Sequence, residues 1–208
     1  MKEETPLVYV VDDDPSIRKA LERLLGSAGY DAKTFASALE FMDFDHPDVP
    51  GCLVLDIKMP ELSGLELQDR LTEKGIFIPI IFITGHGTVP DSVRAMKAGA
   101  MDFLQKPFKD SELLGVVSRA IARHGRLRQK KRQMNTLRAR LDTLTPRERE
   151  VFRLVVRGML NKQVAYDLGI TEKTIKVHRA QVMQKMGAQS LADLVRLAEK
   201  LGVRSSTV

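Results

Sequence analysis

The chain has 208 residues, of which 43% are hydrophobic and 29% are charged. This balance is typical of a globular protein and excludes a disordered or membranous chain. No apolar run approaches the roughly 20 residues that a membrane-spanning helix needs, and the N-terminus lacks the basic region of a signal peptide. The single cysteine, Cys52, cannot form an internal disulfide, so we expect a cytoplasmic protein without membrane partners.

Charge is unevenly distributed along the chain. Residues 1–122 hold 13 Lys and Arg against 20 Asp and Glu, whereas residues 123–208 hold 20 against 7. This split predicts two functional units, the second directed toward a polyanion. Charge alone leaves nucleic acid and an anionic membrane open as that partner. We predict a first domain over 1–122, a basic helical linker over 123–142 and a second domain over 143–208.

Short β-rich runs alternate with helical patterns in the first domain. The predicted strands are Leu7–Val11, Tyr30–Phe35, Cys52–Asp56, Pro79–Thr84 and Met101–Leu104. The predicted helices are Pro15–Ser27, Ala36–Met42, a segment containing Leu65, Leu67 and Leu71, and Asp91–Ala98. Apolar runs of this length suit central parallel strands that are covered on both faces. The pattern predicts a doubly wound (flavodoxin-like) α/β domain with a five-stranded parallel sheet.

A further helix begins near Asp110 and has no obvious end, because no proline occurs between Pro107 and Pro146. One column of a heptad is apolar and consists of Leu113, Ala120, Leu127, Met134 and Leu141. The column four residues on is mostly polar, so a coiled coil here would be weak. A solvated helical strut is the favoured interpretation, and its basic residues either keep it solvated or lie near phosphates.

The sequence of the second domain predicts a small set of helices. The stretch Thr145-Pro146-Arg147-Glu148 has an N-cap Thr, a first-turn Pro and a Glu three residues after the cap, which predicts a helix start. Asn161 and Thr171 are predicted to cap the next two helices, with a turn at Gly169, and Leu191–Leu201 forms a fourth. Two short helices joined by a glycine turn, the second rich in cations, predict a helix-turn-helix.

Polar side chains follow four of the predicted strands. They are Asp12, Asp13, Asp14, Asp56, Thr84 and Lys106. In a doubly wound sheet these residues meet at one edge, where ligands bind. Crowded carboxylates repel one another, and a divalent cation such as Mg²⁺ relieves the repulsion. A lysine and a hydroxyl suit a phosphoryl group, so Asp56 is a candidate nucleophile that carries an aspartyl phosphate.

Four motifs of the first domain resemble the receiver domain of two-component response regulators. They are VVDDDP, LVLDIKMPELSG, IFITGHG and DFLQKPF. The stretch LTPREREVFRLVVRGMLNKQVAYDLGITEKTIKVHRAQVMQKM resembles the LuxR/NarL-type DNA-binding domain. Together they resemble the FixJ-type regulators over nearly the whole chain. The resemblance implies phosphorylation by a sensor histidine kinase, dimerisation, binding to double-stranded promoter DNA, and regulation of transcription, with activation through RNA polymerase expected.

The resemblance also implies roles for the residues at the sheet edge. Asp56 is the phosphorylated residue. Asp13 and Asp56 ligate Mg²⁺ together with the backbone carbonyl of Lys58, while Asp12 assists directly or through water.

Three further residues are implied to sense the phosphoryl group. Thr84 and Lys106 bind it, and Phe103 is the aromatic residue whose rotamer reports it. The family often has Tyr at this position, so a switch through Phe103 must rest on burial rather than on a hydroxyl. His86 is expected to be a solvated loop residue rather than a phosphoryl acceptor.

Phosphorylation is expected to reshape the surface formed by the Asp91–Ala98 helix and the fifth strand. Arg94, Lys97 and Asp102 are candidates for charge pairing across a two-fold homodimer interface. From the residues alone, ordinary solvated charges are the favoured interpretation, and only the resemblance reverses this order in favour of the interface.

Candidate DNA contacts lie mainly on the third helix of the second domain. They are Lys162, Lys173, Thr174, Lys176, Val177, Arg179, Ala180 and Gln181. Lys176 can reach guanine acceptors, and the two apolar side chains can contact thymine methyls. Lys162, Lys173 and Arg179 are expected to bind phosphates. For His178, a phosphate and solvent both remain open.

Two other functions compete with this one. A phosphatase or phosphotransferase could use Asp56 as its nucleophile, but the haloacid-dehalogenase class needs an acid where Lys58 stands, and no nucleotide-binding motif occurs. Alternatively, the basic second domain could bind protein or RNA rather than promoter DNA. The first alternative predicts turnover of a phosphate ester, and the second predicts sequence-independent binding.

Overall fold

The computed structural model describes residues 5–85 and 89–203, and the chain divides into two compact units, residues 1–128 and 129–208. The strands are β1 (Leu7–Val11), β2 (Asp31–Phe35), β3 (Gly51–Asp56), β4 (Ile80–Thr84) and β5 (Asp102–Gln105). The helices are α1 (Pro15–Ser27), α2 (Ala38–Asp43), α3 (Gly64–Glu73), α4 (Val89–Lys97), α5 (Asp110–Asp142), α6 (Pro146–Val156), α7 (Asn161–Leu168), α8 (Glu172–Met186) and α9 (Leu191–Lys200).

The first unit contains one parallel sheet with the strand order β2-β1-β3-β4-β5. Every residue of β3 is buried, because helices cover both faces of the sheet. One face packs Leu53, Leu55 and Phe82 with α2 and α3, and the other packs Val10 and Val54 with α1 and α5. The doubly wound five-stranded sheet predicted from the apolar runs is confirmed.

Helix starts in the first unit lie beside the carboxyl ends of the strands and are fixed by short polar side chains. Asp14 caps α1 by accepting a hydrogen bond from Ser16 N–H at 2.7 Å, and Pro15 occupies the first turn. Ser63 and Glu66 form a reciprocal capping box at the start of α3. These caps fix where the loops after β1 and β3 end.

Helix α5 contributes apolar residues to two separate cores. Leu113 and Ala120 are buried in the core of the first unit, whereas Leu141 packs against the core of the second. Between them, Leu127 is half exposed, so the heptad column does not stay on one buried face. This drift is expected, because a straight helix has 3.6 residues per turn and not 3.5.

The α2–β3 loop is attached to the first unit's part of α5. His124 Nδ1 accepts a hydrogen bond from Gly51 N–H at 3.0 Å, and Arg128 forms an ion pair with Asp48 at 2.8 Å. Burial lowers the pKa of His124, and the nearby positive charge of Arg128 acts in the same direction, with Asp48 opposing. The neutral ring can therefore serve as an acceptor.

The second unit contains the end of α5 and helices α6 to α9, and it has its own core, centred on residues such as Phe152, Ile175 and Val182. The predicted capping box of Thr145 and Glu148 is present at the start of α6, and Thr171 caps α8. The predicted cap at Asn161 is wrong.

Helix α7 begins at Asn161 itself, and Leu160 stands in the N-cap position. The physical reason is that the Asn161 side chain accepts a hydrogen bond from Arg179, while Gln163 Oε1 accepts from Leu160 N–H at 2.8 Å. Gly169 ends the helix in the left-handed conformation, with φ of 64°, and makes the predicted turn.

Among residues 5–85 and 89–203, no helix combines the length and the apolar character required to cross a bilayer.

Candidate functional site

The polar residues predicted to meet at the sheet edge do line one cleft. Asp12 follows β1, Asp56 and Thr84 end β3 and β4, and Lys106 follows β5. The lining of the cleft consists of Asp12, Asp13, Asp14, Ile17, Asp56, Lys58, Thr84, Gly85 and Lys106. The cleft forms because parallel strands bring their carboxyl ends to the same edge.

Lys106 joins the two buried carboxylates of the cleft. Its Nζ lies 2.7 Å from Asp12 Oδ2 and 3.0 Å from Asp56 Oδ1. The side chains of Asp12 and Asp56 are 1% and 8% exposed, so the ammonium group offsets negative charge that water reaches poorly. This arrangement brings the predicted nucleophile and the predicted phosphoryl-binding cation into direct contact.

The pKa values in the cleft move in directions that follow from this packing. Burial raises the pKa of Asp56, and the hydrogen bond and positive charge of Lys106 oppose that rise only in part. Burial alone lowers the pKa of Lys106, but hydrogen bonds to Asp12 and Asp56 outweigh it and raise the pKa above its ordinary value. Lys106 is therefore firmly cationic.

Backbone N–H groups fix the orientation of both carboxylates. Asp56 Oδ2 accepts from Lys58 N–H at 2.7 Å, and Asp12 Oδ1 accepts from Asp14 N–H at 2.9 Å. Each carboxylate thus has one oxygen bound to its own loop and one bound to Lys106. The side chain of Lys58 is exposed, in agreement with a role through its main chain only.

The loop after β3 is packed closely against the start of α3. A Cβ atom at Gly64 would lie only 2.2 Å from the backbone oxygen of Asp56. Glycine is therefore required at this position, and Gly64 N–H donates to Ile57 O at 2.9 Å. Gly64 belongs to the motif LVLDIKMPELSG, but the motif alone does not reveal this close contact.

Thr84 and Phe103 differ in how closely they approach the cleft. Thr84 is 1% exposed at the end of β4, next to Gly85 in the lining. Phe103 is half-buried on β5 and packs against the core on the α2–α3 side of the sheet. His86 lies outside the described residues.

The carboxylates of the cleft and the backbone carbonyl of Lys58 are hard oxygen donors, which suit Mg²⁺. Within the described part of the chain, no three Asp, Glu, His or Cys side chains converge tightly enough to form a ligand set by themselves. Mg²⁺ commonly uses one or two carboxylates and completes its octahedron with water and other oxygens. Asp12, Asp56 and the Lys58 carbonyl fit this requirement, and the exposed Asp13 lines the same cleft.

Helix α4 and strand β5 carry both charges and apolar side chains at the surface. Arg94 pairs with Asp69 at 2.9 Å, and Asp102 pairs with Arg119 at 3.2 Å, so two of the residues predicted to pair across a dimer already have partners in the chain. Lys97 is exposed.

An apolar stripe on α4 was missed from the sequence. Val89, Val93 and Met96 are 77%, 45% and 46% exposed and lie on one side of the helix. Their spacing of four and three residues could have revealed the stripe.

The predicted DNA contacts of the second unit are mostly at the surface. The exposed members of the set are Lys162, Lys173, Thr174, Lys176, Val177, Ala180 and Gln181. Arg179 differs: it is half-buried and donates to Asn161 Oδ1 at 2.9 Å, so it links α8 to α7. His178 is also half-buried, and its Nδ1 has no hydrogen-bond partner among the described residues.

A second arginine holds the helix-turn-helix together. Arg147 on α6 donates a short hydrogen bond to Leu168 O, the carbonyl at the end of α7, and pairs with Glu150 at 2.7 Å. From the sequence, Arg147 was predicted only to belong to the first turn of a helix. Its contact depends on tertiary structure, and no local pattern could have shown it.

Comparison with known families gives a match in each half of the chain. Residues 8–118 match the family described as "Response regulator receiver domain", and residues 142–198 match "Bacterial regulatory proteins, luxR family". The chain belongs to the two-component response regulators that combine a receiver domain with a LuxR-type helix-turn-helix DNA-binding domain. This confirms the resemblance seen in the motifs, and the family consists of transcription regulators rather than classical enzymes.

Individual relatives extend along nearly the whole chain. Nodulation protein W of Bradyrhizobium diazoefficiens is 50% identical over 200 residues, which cover 96% of this chain and 88% of that protein. Transcriptional regulatory protein FixJ of Rhizobium meliloti is 47% identical over 192 residues, with 92% and 94% covered. The low-resolution structure of response regulator StyR has a TM-score of 0.89 at 48% identity and covers 94% of this chain and 99% of that one.

Proposed function

We propose that Asp56 accepts a phosphoryl group from a sensor histidine kinase, and that the phosphorylated protein dimerises and binds promoter DNA. The observation that carries the proposal is the position of Lys106 Nζ, within 3.0 Å of carboxylate oxygens on both Asp12 and Asp56. A cation held at the nucleophile can transfer its hydrogen bonds to the oxygens of an incoming phosphoryl group.

In the transfer step, an oxygen of Asp56 bonds to phosphorus as the bond to the kinase histidine breaks, and the imidazole keeps the electron pair. Lys106 then turns from the carboxylates to a phosphoryl oxygen, and the Thr84 hydroxyl donates to another. Asp12, Asp13, Asp56 and the Lys58 carbonyl would hold Mg²⁺. When bound, the metal supplies positive charge that offsets repulsion between the carboxylates and the phosphoryl group.

Incubation with acetyl phosphate and Mg²⁺, followed by mass spectrometry of the peptides, tests this assignment. We expect one phosphoryl group on Asp56 and none in Asp56→Asn. A phosphorylated Asp56→Asn protein would refute the assignment. Sustained turnover of a phosphate ester would instead support an enzyme, whereas we propose that this receiver assists only its own phosphoryl transfer.

Homodimerisation through the α4–β5 face is the proposed consequence of phosphorylation. Phosphorylation adds about −1.5 to −2 charges, which draw Thr84 and Lys106 and let Phe103 move inward. The exposed stripe of Val89, Val93 and Met96 offers apolar area to a second copy, and the charged pairs of Arg94 and Asp102 can exchange partners across a two-fold axis, with Lys97 adjacent.

Sedimentation of phosphorylated protein tests the proposed face. We expect a dimer with the wild type and a monomer with Met96→Lys, which places a charge in the apolar stripe. Lys33→Glu, on the distant strand β2, serves as a control and should leave the dimer intact. A dimer of the same affinity in Met96→Lys would place the interface elsewhere.

Base readout is assigned to the exposed side of α8. We propose that Lys176 contacts guanine and that Val177 and Ala180 contact thymine methyls, with Thr174 and Gln181 beside them, while Lys162 and Lys173 bind phosphates. No close ion pair with any residue that the structure describes holds Lys176: its Nζ lies 3.8 Å from Glu172, and the two side chains are 67% and 49% exposed. Arg179 is also a proposed phosphate ligand, and its hydrogen bond to Asn161 links α8 to α7.

The Lys176 assignment predicts a loss that depends on DNA sequence. Lys176→Ala should weaken binding to the duplex that the wild type selects from a random pool by about tenfold or more, and weaken a scrambled duplex much less. Equal losses on both would make Lys176 a backbone contact. Unsaturable, sequence-independent binding by the wild type would favour a general polyanion partner. Transcription activation through RNA polymerase is the proposed outcome of promoter binding.

A further inference from the structure

The last turn of the recognition helix α8 is held by a buried carboxylate. Glu148, on α6, is 3% exposed, and its Oε2 accepts from Thr145 N–H at 2.7 Å, which completes the capping box. The same oxygen lies 2.6 Å from Lys185 Nζ on α8. The hydrogen bond of Lys185 lowers the pKa of Glu148, so this carboxylate is ionised at neutral pH. The capping box is formed by Thr145 and Glu148 alone, so the contact with Lys185 is additional to it.

The same turn of α8 is also tied to the end of α5. Lys185 Nζ donates to Thr143 O at 3.2 Å, and Arg140 Nη1 donates to Met186 O at 3.1 Å. A Cβ atom at Gly187 would lie 2.6 Å from Arg140 Nη1, so a side chain there would require this guanidinium group to shift. Two cations from different helices thus fix one end of α8.

These contacts are unlike those of the other basic residues of the helix. Lys173 and Lys176 are exposed, whereas Lys185 is two-thirds buried and turned inward. Buried ion pairs add little net stability compared with apolar residues of the same size, and in some proteins they fix one geometry. The contacts of Lys185 therefore point to a role in orientation, not in DNA contact.

The distance along α8 between Lys185 and the proposed base contacts is long enough for a tilt of the helix to displace those contacts. Lys185 lies nine residues after Lys176, which is about 14 Å along a helix. Because α8 is a continuous helix, a change of angle at its last turn shifts the side chains that face the groove. Hydrogen bonds to bases tolerate little displacement, whereas phosphate contacts through long flexible side chains tolerate more.

We propose that the Lys185–Glu148 pair, supported by Arg140, is a positioning device that sets the angle of α8 for base readout without touching DNA. The inference rests on the proposed DNA-binding function. It predicts that loss of the pair lowers sequence discrimination more than it lowers general affinity for DNA.

The test uses Lys185→Met, which keeps the apolar stem and removes the cation. Affinity is measured by fluorescence anisotropy, at several salt concentrations, for the duplex that the wild type selects from a random pool and for a scrambled duplex. We expect about tenfold weaker binding to the selected duplex, less than about twofold on the scrambled one, and an unchanged salt slope. Lys185→Arg should restore most of the discrimination.

Lys173→Met is the matched control, since its exposed lysine is a proposed phosphate ligand. It should weaken both duplexes alike and reduce the salt slope by about 0.9. The same behaviour in Lys185→Met would show that Lys185 binds phosphate, and a lower melting temperature with unchanged discrimination would show that the pair only stabilises the fold. Either result would overturn the inference.

Arg140→Gln provides a second, milder variant if Lys185→Met does not fold. It should lower discrimination in the same direction, with the salt slope unchanged, and full discrimination in Arg140→Gln would contradict the inference. If the wild type itself shows no preference between the duplexes, the proposed DNA-binding function fails first and separately.

Discussion

The receiver cleft and the recognition helix hold their charged residues in opposite ways. In the cleft, Asp12, Asp56 and Lys106 are largely buried and bound to one another. On the helix, Lys173 and Lys176 are exposed to solvent. The residues of the receiver cleft are therefore organised before a ligand binds. The proposed DNA-binding surface instead keeps its cations accessible, and other residues fix the position of helix α8, which carries them.

The largest effect expected from this contrast is on stability. Lys106→Met should lower the free energy of unfolding of the receiver unit by about 3 kcal/mol in EDTA, because two buried carboxylates lose their shared cation. Lys176→Met should change the free energy of unfolding of the second unit by less than about 0.5 kcal/mol, since an exposed side chain is removed. Urea unfolding gives the two values when the receiver transition is followed for Lys106→Met and the transition of the second unit for Lys176→Met.

Added Mg²⁺ provides a further test in the same unfolding experiment. If the carboxylates of the cleft bind the metal, added Mg²⁺ should recover more stability in Lys106→Met than in the wild type, where metal and lysine compete for the same oxygens. Equal responses in the two proteins would show that Lys106 and the metal do not share ligands.

An intermediate effect is expected from the packing behind Asp56. Gly64→Ala should destabilise the receiver unit by roughly 1–3 kcal/mol, since the new methyl group meets the Asp56 carbonyl and the backbone must shift. Gly26→Ala is the matched control in helix α1, where nothing lies within 4 Å of the added atom. It should stabilise by about 0.5–1 kcal/mol. A harmless Gly64→Ala would mean that the cleft is not rigidly packed.

The smallest effect concerns the attachment of α5 to the α2–β3 loop. The pKa of His124 is held below its ordinary value, so the unfolded chain binds protons more readily than the folded one. The stability that His124 contributes is therefore fully present above the ordinary pKa of histidine, near 6.5, and is lost as the pH falls from there through the lower pKa of the folded state.

His124→Gln can accept the Gly51 N–H without titrating, so it should remove part of this acid sensitivity. The difference between the two proteins should stay well under ~1.4 kcal/mol, the equivalent of one pKa unit, because the ring is partly exposed. Urea unfolding at about pH 7 and pH 5 checks this, and parallel pH profiles would show that His124 is not the responsible group.

The receiver was the easier half to predict from the sequence, and Asp56 shows why. An apolar run that ends in an acid specifies both a buried strand and the edge where that acid emerges, so local pattern and tertiary position coincide. The strand ends at Thr84 and the lysine at position 106 follow the same logic.

In the second domain, the roles of some residues could not be predicted from local sequence patterns. The cap at Thr145 was predictable because its partner, Glu148, is three residues away. The partners of Asn161 and Lys185 are 18 and 37 residues away, so their roles depend on how helices pack. An isolated Asn before an apolar helix predicts a cap equally well in either case, which is why that prediction failed.

The central claim is that a phosphoryl group on Asp56 controls DNA binding. It is tested most directly by measuring affinity for the selected duplex with and without acetyl phosphate, in the wild type and in Asp56→Asn. The account predicts that phosphorylation raises the affinity of the wild type and leaves Asp56→Asn unchanged. An equal rise in both proteins, or no rise in a wild type that is demonstrably phosphorylated, would contradict it.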